Sequence, residues 1–277
     1  MAEASAAAPP PAPGSAGAPV VPPRLAQATP SRAALAILVV GIAAVALHGT
    51  FTSGSELVRG TPHLVRIVDE MLPPSFARWE SVASLTLETA GMAATGASIG
   101  IGAALVLAPL ASRAHSPHPL VHFAARGLVS FFRTVPDLVW AVLFVASVGL
   151  GPKAGVLTTV VDTIGFCGRF FADAMEESDP GPQEALRAAG AGRLGVLAAA
   201  VLPAALPSLV ATSMFALEKA VRASVVLGLV GAGGIGIELK AAMDMFEYAE
   251  ATTIILAVFA LVVTVEQVSA RVRRRIL

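Results

Sequence analysis

Between Thr89 and Ser112 not one residue carries a charge. Roughly 20 consecutive apolar residues suffice to carry a helix across a bilayer, and this run exceeds that. Further charge-free runs follow at Leu138–Pro152, Leu194–Leu217 and Ala251–Val265. The stretch Ala33–Leu47, preceded by Arg32 and extendable to Phe51, is a fifth. Only 14% of residues are charged and 55% are hydrophobic, against roughly 25% charged in ordinary soluble domains. The chain is therefore read as an all-α polytopic membrane protein. Aromatic residues make up only 5%, so Ala, Val, Leu, Ile and Gly supply the apolarity. Small residues of this kind let membrane helices approach closely.

Charge asymmetry turns these runs into a topology. Arg271, Arg273, Arg274 and Arg275 follow the last run and Arg32 precedes the first, so both termini are expected in the cytoplasm. An even number of spans is then required, and six satisfies it if the weaker segment Ala154–Phe171, interrupted by Asp162 and Arg169, is counted. The expected spans are approximately 33–51, 84–110, 120–149 (bent at Pro136), 154–175, 203–230 and 250–270. Together they make one membrane domain over 32–277. Glu238, Asp244, Glu247 and Glu250 stand against a single Lys240 before the last span and are expected outside. Residues 1–31, rich in Ala and Pro, have little to bury and are expected to be a disordered cytoplasmic tail. Ala44-Val45-Ala46 resembles a signal-peptide cleavage site, but the long tail before it does not fit a leader's layout. Between Thr52 and Glu80, Leu57, Val58, Leu64, Val65, Val68, Met71 and Leu72 recur at near-helical spacing, as in a surface amphipathic helix.

Several function classes find no support. Nineteen basic residues balance nineteen acidic ones, which does not favour nucleic acid. Lone Cys167 and five scattered histidines offer no expectation of a disulfide or a metal centre. Gly231-Ala232-Gly233-Gly234-Ile235-Gly236 fits G-x-G-x-x-G. A dinucleotide site also needs a βαβ unit, and here an apolar span follows instead. The glycines read better as a helix break or re-entrant loop. No G-x-x-x-x-G-K-[ST] is present, so the chain carries no P-loop for ATP.

The informative stretch is the polar one between two spans, approximately 176–202. A loop that merely reconnects helices needs roughly 2–8 residues, and Asp173–Arg193 is much longer. It contains Glu184-Ala185-Leu186-Arg187-Ala188-Ala189-Gly190, with Leu202-Pro203 following. This segment resembles the EAA loop of ABC-importer permeases: Glu-Ala-Ala, a glycine six residues after the glutamate, and Leu-Pro some thirteen beyond it. Leu186 replaces the second alanine, and Ala200 the usual isoleucine. Arg133-Thr134-Val135-Pro136-Asp137-Leu138-Val139-Trp140, Val148–Pro152, Asp179–Pro182 and Val221–Gly236 are similar to the phosphonate-permease branch in particular. The resemblance covers about residues 75–277.

That resemblance implies a type I ABC-importer permease fold in the cell (inner or plasma) membrane. It further implies a second copy of the chain, two ATPase subunits that hold ATP and Mg, and an extracytoplasmic solute-binding protein. The chain itself would be a transporter subunit with no cofactor of its own, carrying phosphonate or a related oxyanion such as phosphite. Glu184, Ala185, Gly190, Leu202 and Pro203 would form the ATPase-coupling element, with Gly190 at a bend of positive φ between two short helices. Four intramembrane charges are candidates for the substrate path: Arg133 with Asp137, and Glu218 with Arg222. Each set is spaced i,i+4, and mutual neutralisation within the bundle is the plainer reading. Glu88 is placed at the interface, and Asp162 faces the bundle without an identifiable partner. Two competing readings remain: another importer branch (amino acid, methionine), or an ion-coupled secondary transporter relaying protons through Asp162, Glu218 and Arg222. The second leaves the long loop unexplained.

Overall fold

The computed structural model describes residues 30–50 and 54–276, with side chains for 34–45 and 60–275. The expected tail at 1–31 lies almost wholly outside the described residues. The chain divides at His63 into two units, each taken by itself. The first holds α1 (Pro30–Thr50) and the start of α2 (Gly54–Glu70). The 21 residues of α1 give about 31 Å at 1.5 Å per residue, while its described apolar stretch is the shorter Ala34–Val45. In the second unit, Leu64, Val65 and Val68 at the end of α2 are exposed.

The rest of the second unit is helical throughout: α3 (Trp79–Ala111), α4 (Pro119–Thr134), α5 (Asp137–Val148), α6 (Pro152–Glu176), α7 (Pro180–Ala188), α8 (Arg193–Val196), α9 (Leu202–Gly228), α10 (Ile235–Asp244) and α11 (Tyr248–Ile276). Among the described residues four helices are long and apolar enough to cross a membrane: α3, α6, the Arg193–Gly228 run and α11. The bent pair α4–α5 makes a fifth if it counts as one broken span.

The centre of the unit is α3 against α6, and small residues bring the two together. A Cβ on Gly96 would stand 2.6 Å from Thr159 Cβ, and one on Gly100 only 2.5 Å from Thr163 Cβ. Both threonines are buried, and Thr159 Oγ1 donates to Gly155 O at 2.9 Å. Turning the hydroxyl back on its own helix satisfies it and leaves the methyl group to fill the facing notch. The long run of Ala, Gly and Thr therefore packs backbone against backbone. α9 and α11 complete the bundle through Ala220, Val221, Leu217, Leu261, Val262 and Val265.

Three breaks depart from plain rods. The chain turns by 90° between α4 and α5, at Val135–Pro136, because a residue before proline is forced out of the helical region. Val135 is accordingly extended, with ψ of 122°. The expected single bent span over 120–149 is thus two helices at right angles. The second break is a π segment, Leu197–Val201. Pro203 can offer no N–H to the carbonyl four residues back and its ring crowds it, so the helix widens just upstream. Leu202 N–H reaches five residues, to Leu197 O. The third is the glycine loop 229–234, where Gly234 has φ of +75°. Its N–H donates to Glu88 Oε1 at 3.1 Å, and Ile235 N–H donates to Thr89 Oγ1 at 2.8 Å. Glu88, expected at the interface, fastens this loop to α3. A Cβ on Gly234 would sit 2.5 Å from Thr89 Oγ1, so the glycine is needed for approach as well as for φ.

Candidate coupling and translocation sites

At one end of the bundle, α7 hangs between the ends of α6 and α8. Asp179 caps it, accepting from Gly181 N–H at 2.9 Å, and Pro180 occupies the first helical turn, where a missing N–H costs nothing. Gln183 is the buried face of α7: its amide donates to Ser178 Oγ at 3.0 Å, and His115 Nε2 lies 3.4 Å from its Oε1. The opposite face is open. Gly181, Glu184, Ala185 and Ala188 are all exposed and share one side of the helix by their three- and four-residue spacing. One carboxylate on a strip of small residues is a surface that another protein's cleft can close over without steric conflict.

The helix stops in a Schellman turn. Ala191 N–H donates to Leu186 O at 2.9 Å and Gly190 N–H to Arg187 O at 3.0 Å, the paired bonds that consume the last free carbonyls. Gly190 has φ of +87°, and a Cβ there would meet nothing within 4 Å. Leu186 and Ala191 pack on the same buried cluster, the apolar contact that accompanies such a turn. Beyond the turn no second short helix stands apart from the long one that follows. Arg193–Gly228 runs as one 36-residue helix through the π segment, so Leu202 and Pro203 lie within a continuous helix. They line an apolar hollow of about 450 Å³ with Ile101, Leu105 and Leu206.

The α7 end is held by a charge network of which spacing along the sequence reveals only the i,i+4 pair Arg169–Asp173. Arg126 Nη2 stands 3.2 Å from Asp173 Oδ1, Arg169 Nε 2.8 Å from Asp173 Oδ2, and Arg113 N–H donates to Glu176 at 2.6 Å. Arg193 donates to Pro117 O at 3.1 Å. At the opposite end Arg78 bridges Glu238 and Glu250, tying the starts of α3, α10 and α11 together. His118 and His122 stand four apart, a metal-like spacing among the histidines taken above as scattered. His118 is spent as the cap of α4, accepting from Leu120 N–H at 3.1 Å.

The two intramembrane pairs expected from spacing do not form. Glu218 is buried and faces Arg273 on α11, with 2.8 Å between Oε1 and Nη1, close enough for charge pairing but not aligned for a hydrogen bond. α11 lies along α9 on that side, and its arginine reaches the carboxylate first. Arg222 is exposed and has no ion pair among the described residues. Arg133 does not meet Asp137, because the 90° turn between them destroys the i,i+4 register. Its guanidinium lies over the Phe170 ring, 5.6 Å from the centroid, and Asp137 Oδ1 accepts from Leu138 N–H at 2.9 Å. Asp162 does have a partner. Lys219 Nζ stands 2.6 and 2.8 Å from its two oxygens. The signal available was Lys219 itself, an intramembrane charge in need of a counter-ion.

The geometry is a bundle of helices long and apolar enough to cross a membrane, with one short capped helix exposed at its end. The chain belongs to the family of binding-protein-dependent transport system inner membrane components, whose pattern it matches over residues 96–276. It is 39% identical over 220 residues to the phosphite transport system permease protein PtxC of Stutzerimonas stutzeri, covering 79% of this chain and 80% of that one. It is 34% identical to the putative phosphite permease HtxC of the same organism, over 88% and 86% of the two chains. The phosphate-import permease PhnE of Mycolicibacterium smegmatis is 38% identical, over 80% of this chain but 42% of that longer protein. Among solved structures, the inward-facing MetNI methionine ABC transporter matches with a TM-score of 0.63 at 24% identity, over 73% of this chain and 99% of that one. An amino acid ABC transporter matches with a TM-score of 0.60 at 17% identity, over 74% and 100%. These two establish a type I ABC-importer permease fold. The chain is a multi-pass membrane transport subunit, not an enzyme, of a kind that works with ATPase and binding-protein partners.

Proposed function

We propose that this chain carries a small phosphorus oxyanion, phosphite or a phosphonate, across the inner membrane, and that two copies do so together above two ATPase subunits that hold ATP and Mg. The observation that carries the substrate class is the 39% identity to a phosphite permease over four-fifths of both chains. The exposed strip Gly181, Glu184, Ala185 and Ala188 would seat in the ATPase, with Gly190 fixing the angle at which α7 leaves it. Closure of the ATPases on ATP favours one arrangement of the bundle over another, and a ligand shifts such an equilibrium only by its differential contacts. Because α7 is tied to the 112–118 turn through Gln183 and His115, a push on α7 reaches α3 and α6 together. Both termini and α7 would then face the cytoplasm. Leu202 and Pro203 act within the span, as the seam where the helix widens.

The test is growth. Cells deleted for this chain, and lacking a redundant system, are expected to fail on phosphite or methylphosphonate as sole phosphorus source and to recover when it is restored. Normal growth on both refutes the phosphite and phosphonate assignment. The 38% identity to a phosphate-import permease favours phosphate as a second reading, and a growth defect confined to limiting phosphate would select it.

A further inference from the structure

The Lys219–Asp162 pair sits well inside two spanning helices, about 15 Å from Pro152 along α6 at 1.5 Å per residue. It is not sealed within the bundle: the Lys219 side chain is 36% exposed and that of Asp162 18%. An ion pair opening onto lipid is costly, and intramembrane charges almost always face protein or a water-filled cavity. The face that carries it is distinctive. Lys219 Nζ lies 5.3 Å from the centre of the Phe166 ring, Phe166 packs on Phe170 at 4.8 Å, and Arg133 lies over Phe170. Arg222 is one turn beyond Lys219 on α9 and exposed. Lys219 and Arg133 thus lie along one aromatic-backed face with a single carboxylate, and Arg222, exposed one turn along α9, has no ion pair among the described residues.

We infer that Lys219 is the anion-contact point in the translocation path, and that Asp162 is a resident counter-ion which a passing oxyanion displaces. This rests on the oxyanion reading above. An ammonium has three donors; Asp162 takes two at 2.6 and 2.8 Å, leaving the third for the open side. An oxyanion with several oxygens can bridge this third donor and the Arg222 guanidinium, which presents a fork of N–H groups. Asp162 keeps that contact weak, since it reclaims Lys219 as the anion leaves, and conduction requires a site that is entered and left readily. The surplus of positive charge sets the preference for anions. Glu218, one residue away, does not interfere because it is turned into the bundle toward Arg273.

The experiment uses the whole complex, with its ATPase and binding protein, in proteoliposomes, and reads phosphite, methylphosphonate or phosphate taken up per ATP hydrolysed. Replacing a buried ion pair by apolar residues of similar size often leaves stability unharmed, so the double variant Lys219→Met with Asp162→Leu separates a structural role from a transport role. ATP hydrolysis stimulated by loaded binding protein is expected to stay near wild type. Uptake per ATP is expected to fall by about tenfold or more, the worth of one hydrogen bond to a charged group. Lys219→Arg, which keeps a cation at that point, should restore most of it. Wild-type uptake per ATP in the double variant overturns the assignment. If that variant does not assemble, Lys219→Gln with Asp162→Asn is measured by the same criteria. Should this second variant also lose assembly or stimulated hydrolysis, the pair is structural and the inference fails. A wild-type complex that moves none of the three anions refutes the substrate reading itself, whereas normal wild-type uptake with an indifferent double variant refutes only the site.

Discussion

Gly190 shows how little of a residue's importance has to do with what it touches. Its φ of +87° is a conformation that costs an L side chain roughly 1–2 kcal/mol, yet nothing stands within 4 Å of where a Cβ would go. Gly190→Val should therefore fail for backbone reasons alone, and Gly190→Asn, whose side chain tolerates the left-handed region, should be nearly silent. Loss of binding-protein-stimulated ATP hydrolysis in the valine variant, with expression and insertion unchanged, is the expected outcome. Equal behaviour of the two variants would show that the turn plays no part in coupling. Glu184→Lys, measured beside them, is expected to weaken co-purification of the ATPase, because it reverses the one charge on the open face of α7. The positive φ at Gly190 was legible from the sequence, since a glycine ending a helix-prone polar segment has few other uses. The partners of Glu218 and Asp162 were not. Each lies on another helix, and spacing along one helix, which suggested Arg222, carries no information about a neighbour's approach.

Among elements, the α3–α6 seam makes a sharp demand on side-chain size. Gly100→Ala places a Cβ 2.5 Å from Thr163 Cβ, and overpacking of this kind costs about 1–3 kcal/mol. The variant should melt lower in detergent, by a fluorescence or scattering assay, and Thr163→Gly introduced with it should recover much of the loss. A double variant no more stable than Gly100→Ala would place the strain elsewhere. The long charge-free runs announced the principal helices because hydrocarbon leaves a backbone no other donors or acceptors. Where those helices break was partly legible. Pro136 marked a bend, but proline constrains only its predecessor's backbone and cannot say that the turn reaches 90°. Pro203 looked like the start of a span. It proved to lie within a continuous helix, because the π segment absorbs the carbonyl it leaves unpaired.

At the scale of the whole molecule, the two segments that flank the last apolar run differ in charge. Glu238, Asp244, Glu247 and Glu250 gather near the glycine loop, and Arg271, Arg273, Arg274 and Arg275 close the last helix. By the positive-inside tendency, a reporter fused after Leu277 is expected in the cytoplasm and one inserted beside Asp244 outside it. Both on one side would overturn the orientation and, with it, the placement of α7 against an ATPase.

The notches of Gly96 and Gly100 also govern how force crosses the bilayer. A threonine seated in each blocks α3 and α6 from sliding past one another, because a shift by even one residue would set side chain against side chain. Two rods keyed together in this way have no slack. A displacement of α6 at Glu176 would then carry α3 with it, toward the glycine loop that Glu88 and Thr89 fasten.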